Sequence, residues 1–267
     1  MADFLRLLLF FPNFRMFMPN RLLIALLVSL SLPAVAHEFI VKPSKANVPT
    51  GGALGYNAVS SHKFMVSEEL EDAADVKAEV YSNGKRTPLT LATAKDSLSF
   101  EGQTNAPAGT FMLLGQRTGQ IWANTPDGVK RNAGKVPGAT NVRFIEKYSK
   151  AIVNASTKDD TFDKPVGDRL EIIPLTNPAS VKVGDEITVK VLYKGQPLAT
   201  NVWATYDGFS KRDNTYAYFT EGSDDGTATV KLTKPGMWMV RVEHSTPETS
   251  ADYSRYVGRA VLVFAVK

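Results

Sequence analysis

Six short strand candidates, most of them alternating apolar and polar residues, evenly spaced and parted by turn residues, fill the chain from Arg169 to its end. They are Arg169–Pro174, Glu186–Tyr193, Asn201–Tyr206, Gly226–Leu232, Met237–His244 and Arg259–Val266. Between them stand Gly184-Asp185, Lys194-Gly-Gln-Pro197, Asp224-Asp-Gly226 and Pro235-Gly236. Period-two alternation puts every second side chain on one face of a strand, and Gly, Pro and Asp supply the reversals. Strands at this spacing, with such turns, predict a β-sandwich of about 100 residues.

The first half carries the same signal less regularly. Asn83-Gly84 between Val76–Val80 and Leu89–Leu91 predicts a two-residue hairpin, and alternation returns in Thr110–Leu114 and Val142–Ile145. Ser67–Ala74 and Glu146–Val153 are helix candidates, both too short to make an α/β fold. The polar stretch Thr157–Pro165, with Asp159, Asp160 and Asp163, reads as an exposed connector. Its acidic spacing does not match an EF-hand loop. The expected fold is therefore all-β, with two β-sandwich domains: residues 37–157, a linker over 158–165, and residues 166–267.

Residues 1–36 read as a signal peptide. Arg21 precedes the apolar run Leu22–Leu32, and Ala34-Val-Ala36 supplies the small-residue cleavage site. The apolar run is too short to span a bilayer as a stable helix. Translation is expected to start near Met18 and cleavage to leave His37 first, in a Gram-negative periplasm with no stable membrane span. The alternative, an uncleaved anchor, would tether the chain to the inner membrane.

Losing the leader's three arginines and one aspartate lowers the formal charge of +4 by two, and no block of Lys and Arg stands out. That excludes a nucleic-acid-binding face. The chain has no cysteine, which excludes disulfides, thiolate metal sites and cysteine nucleophiles. Ser60, Ser61 and His62 are neighbours, but there is no Gly-x-Ser-x-Gly elbow, and no other enzymatic constellation stands out. Glu68, Glu69, Glu71, Asp72 and Asp75 read as a solvated acidic face.

The chain has three histidines: His37, His62 and His244. Cleavage after Ala36 would give His37 two donors, its α-amine and Nδ1, able to close one chelate ring. The amine titrates near ~7.7–8.0 and imidazole near ~6.5, so both can be freed at neutral pH. His62 follows a strand candidate, and His244 ends one. Convergence of all three would make a nitrogen-rich site suited to nickel, cobalt, copper or zinc, and would require close packing of the two halves. Met237 and Met239 share a strand face and offer a softer alternative, although methionine beside Trp238 in a strand is more often core or rim packing.

Val166–Pro178, Val183-Gly-Asp185, Val191–Leu198, Lys234-Pro-Gly-Met-Trp238, the start at His37-Glu-Phe39 and His244 together resemble a family of periplasmic nickel- and cobalt-uptake transporter components. The domain of that family is otherwise of unknown function. The resemblance implies a signal peptide, an immunoglobulin-like or transthyretin-like C-terminal domain, and handling of a divalent transition metal for a membrane transporter component. It implies no catalytic triad and no organic cofactor. The expected function is thus a periplasmic metal-binding protein that supplies an uptake system. The rivals are an envelope structural or interaction module without metal, and a copper oxidative enzyme built on an N-terminal histidine.

Overall fold

A computed structural model describes residues 37–267. The leader expected over residues 1–36 and the start expected near Met18 lie outside the described residues. Among the described residues no helix is long and apolar enough to cross a membrane.

Seventeen strands make up the described chain. The first nine are β1 (Glu38–Pro43), β2 (Ala53–Ser61), β3 (Val76–Ser82), β4 (Lys85–Pro88), β5 (Ala92–Ala94), β6 (Ser99–Asn105), β7 (Phe111–Thr125), β8 (Gly128–Arg131) and β9 (Thr140–Val153). Then follow β10 (Leu170–Pro174), β11 (Glu186–Tyr193), β12 (Gln196–Pro197), β13 (Asn201–Tyr206), β14 (Tyr218–Glu221), β15 (Thr227–Lys231), β16 (Gly236–Pro247) and β17 (Arg255–Val266). The only helical pieces among the described residues are three single 3-10 turns, so the chain is all-β.

The strands form three sheets. One holds β1, β2, β6 and β5; another holds β10, β11, β12 and β15; the largest is nine-stranded and runs β14-β13-β16-β17-β9-β7-β3-β4, with β8 on β7. Alternate residues of the large sheet enter two different cores. Phe111, Leu113, Met239, Val261 and Val263 pack with Phe39, Ile40 and Val41 of β1. Met112, Leu114, Val240, Leu262 and Phe264 pack with Ile172, Ile187 and Val189 of β10 and β11. The large sheet is therefore the middle layer of two stacked sandwiches, apolar on both faces.

Strands from both sides of residues 158–165 share this middle sheet, because β17 pairs in parallel with β9 over Arg143–Ala151. The boundary at 158–165 therefore does not separate the sheets. Nor is the segment a bare linker: Phe162 is buried in the core beneath β10, and Asp159 Oδ2 accepts the Thr110 N–H at 3.1 Å.

Both helix candidates fold otherwise. Glu146–Val153 is the second half of β9, held in extended form by β7 on one side and β17 on the other. Ser67–Ala74 is mostly irregular, with only a 3-10 turn at Ala73–Asp75. The expected hairpin is present: Asn83 and Gly84 take φ of 51° and 72°, and Ser82 faces Lys85 across the turn.

Candidate metal centre

Two short pieces of chain build the site. The first is the start of β1, where Glu38 pairs with Ser61 of β2, so that His37 lies beside the end of β2 where His62 emerges. The second is the turn after β2, closed by bridges between Lys63 and Val66 and between Ser60 and Glu69. The turn needs a left-handed residue, which Met65 supplies at φ 69°. It folds Glu68 back so that Glu68 Oε2 accepts the His62 N–H at 2.6 Å.

The result is a compact group. The rings of His37 and His62 lie 3.7 Å apart between centroids, tilted by 39°. Ligand atoms of His37, His62 and Glu68 all lie within 4.8 Å of one another. His62 Nδ1 is 3.4 Å from Glu68 Oε2, and His37 Nδ1 is 2.8 Å from Glu69 Oε2. Lys63 Nζ pairs with Glu68 Oε1 at 2.6 Å. Ligand bonds of ~2.0–2.1 Å in a tetrahedron put donors about 3.3 Å apart, so a modest inward shift would seat an ion.

Electrostatics favour the metal-ready forms of His37 and Glu68. Burial lowers the pKa of His37, and the neighbouring His62 ring and Lys147 lower it further, against the pull of Glu69 and Glu68. The imidazole is thus neutral at neutral pH, the state a ligand requires. Burial pushes the Glu68 carboxyl up, but Lys63 and the His62 N–H outweigh it and hold the group below the ordinary carboxylate range.

Beneath the histidines lies a charged layer between β1 and the middle sheet. Arg241 Nε donates to Glu38 Oε1 at 2.8 Å, and Glu243 Oε2 bridges Arg241 at 2.7 Å and Arg259 at 2.9 Å. Glu71 accepts from Ser60 Oγ at 2.7 Å and from Lys147 Nζ at 3.0 Å. The expected solvated acidic face therefore divides. Glu71 is a buried counter-ion, Asp75 pairs with Arg131 and Gln120, and Glu68 and Glu69 meet the histidines.

His244 does not join His37 and His62. On β16 it shares a face with Trp238, Val240 and Val242, which line the core under β10 and β11, whereas Arg241 and Glu243 reach toward β1. Its ring packs on Tyr193 at 4.4 Å between centroids, and burial and the nearby Arg169 lower its pKa. Strand parity is the reason: His244 is an odd number of residues from Arg241. Met239 is a core residue and Met237 packs against the same core, so the softer methionine site has no opening here.

None of the curated proteins compared with the chain matches it. Among solved structures it is similar to the D0-D1 domain of intimin, at 14% identity and TM-score 0.21, covering 86% of this chain and 98% of that one. It is also similar to the Yersinia pseudotuberculosis adhesin InvE, at 12% identity and TM-score 0.21, covering 85% and 58%. A third is the BSP domain of a biofilm associated protein, at 9% identity and TM-score 0.22, covering 86% and 51%. These likenesses are distant, and the architecture rests on the chain's own sheets. A family model described as a domain of unknown function, DUF4198, matches residues 34–246, and the chain belongs to that family.

Proposed function

We propose that the mature protein is a periplasmic binding protein for a divalent transition metal, nickel, cobalt or copper, which it holds with His37 and His62 and supplies to an uptake system. The observation that carries this reading is the convergence of His37, His62 and Glu68 within 4.8 Å, the two histidines coming from positions 25 residues apart. Two imidazoles and a carboxylate suit borderline divalent ions such as nickel, cobalt, copper(II) and zinc. Export is part of the reading. Cleavage after Ala36 would free an α-amine on the same residue whose imidazole already lies in the group, adding a nitrogen donor at no cost in chain order. The uptake role is supported by the family resemblance set out above.

The test is calorimetric titration of Cu(II), Ni(II), Co(II) and Zn(II) into protein beginning at His37, and into the same protein with one alanine added before it. The extension keeps the imidazole and converts the amine to an amide, and affinity is expected to fall at least about tenfold, the scale on which losing one ligand contact registers. A His37→Ala chain that binds as tightly as the parent would sink the reading. Metal-free protein recovered untagged from the periplasm would favour an interaction module instead.

A further inference from the structure

The turn that carries His62 and Glu68 also carries a cation. Lys63 Nζ lies 2.6 Å from Glu68 Oε1 and 3.0 Å from Asp213 Oδ1, so one ammonium spans two carboxylates. The second carboxylate belongs to the loop between β13 and β14, which is tied to the turn by backbone as well: Asn214 N donates to the His62 carbonyl at 3.0 Å. Asp213 is about half exposed and Lys63 about a third, whereas Glu68 is more enclosed. The ammonium is therefore free to swing outward, and the carboxylate it leaves stays beside the histidines.

We propose that Lys63 is a resident counter-ion of the metal centre, competing with the incoming divalent cation for Glu68, and that Asp213 is the acceptor that draws it off. The inference rests on the metal-binding reading and adds its regulation. Glu68 accepts from Lys63 on one oxygen and from the His62 N–H on the other, so an ion that uses this carboxylate shares it with a positive charge held 2.6 Å from Oε1. Such a separation is well inside the Debye length of ~8–10 Å, so the repulsion is felt at physiological salt. With Asp213 in place, Lys63 keeps one partner after giving up Glu68, and capture of the ion shifts its ion pair onto the β13–β14 loop.

The competition gives two substitutions opposite signs. Lys63→Met removes the competitor and is expected to tighten Ni(II) or Cu(II) binding about two- to fivefold, the range of a partly exposed ion pair. Asp213→Asn removes the alternative acceptor, confines Lys63 to Glu68 and is expected to weaken binding by a similar factor. Lys63→Arg, which keeps the charge, should stay close to the parent, and raising the salt should shrink the gap between parent and Lys63→Met. Circular dichroism on each variant checks that the sheets are intact. If Lys63 merely braced the turn, both Lys63→Met and Asp213→Asn would weaken binding, and that result overturns the proposal while leaving the metal reading standing. Parent and Lys63→Met both failing to bind would overturn the two together, whereas binding by Lys63→Met alone would support the competition.

Discussion

His37 and His62 meet because one begins β1 and the other follows the end of β2, and antiparallel pairing brings those two ends together. Their chemistry gives the first expectation. His62→Ala should weaken metal binding at least about tenfold while His244→Ala leaves it unchanged, as titration calorimetry would show. Residue type alone marked the three histidines as candidates. Which two of the three would meet was not legible, because the parity of β16 relative to β1 is a property of the assembled sheets. Glu68 was hidden for another reason: it reaches His62 only through a turn whose left-handed residue is Met65, a position where sequence gives no glycine or asparagine to mark it. A second expectation concerns a pair remote from the site. Lys150 and Glu171 form a fully enclosed ion pair at 2.5 Å, with the Ile172 carbonyl also accepting from Lys150. Lys150→Ala strands a buried carboxylate and should cost about 3–5 kcal/mol in urea unfolding.

The run Ala260-Val-Leu-Val-Phe264 in β17 shows what a strand's sequence says about its surroundings. It does not alternate, because β17 pairs with β16 and β9 at its edges and meets a core on each face. Unbroken apolar runs are the mark of strands covered on both sides, so the middle layer was legible in principle where an isolated sandwich would have called for alternation. The hairpin at Asn83-Gly84 was legible outright, since its backbone demands those residue types. Close packing of β1 on this layer is tested at Gly115, where an added Cβ would come within 2.1 Å of Val41 Cγ2. Gly115→Ala is expected to destabilise the fold by about 1–3 kcal/mol through overpacking. The charged layer below the histidines gives the elements a pH dependence. Burial pushes Glu71 and Glu243 up, but Lys147 and Arg117, and Arg259 and Arg241, outweigh it and hold both carboxyls below the ordinary range near 4.5. The unfolded chain therefore takes up these protons first. The stability they contribute is present above pH 4.5 or so and is lost as pH falls through the lower folded values. Glu243→Gln should flatten the acid limb of a stability–pH curve and leave its shape above pH 5 or so unchanged.

At the scale of the whole molecule, the shared middle sheet ties the two halves of the described chain into one packing unit. β9 from the first half lies between β7 and β17, so residues 166–267 taken alone would expose the flank of β17 that β9 covers. Calorimetry should accordingly record one cooperative unfolding transition for residues 37–267, and the isolated 166–267 fragment should not reach the stability of the parent. The all-β class was legible from strand spacing and turns, and the unbroken run in β17 marked a strand covered on both faces; which strands share that layer was not legible, because local periodicity carries no record of which strands pair across the chain. That common layer also bears on function: it keeps His244 on the far side of a sheet from β1, leaving a site of His37 and His62 with Glu68 at one end. The most direct test is anomalous diffraction from crystals of mature protein grown with nickel or copper. A single peak bonded to His37 and His62 at ~2.0–2.1 Å is the result expected. A peak at His244, or none at the paired histidines, would contradict it.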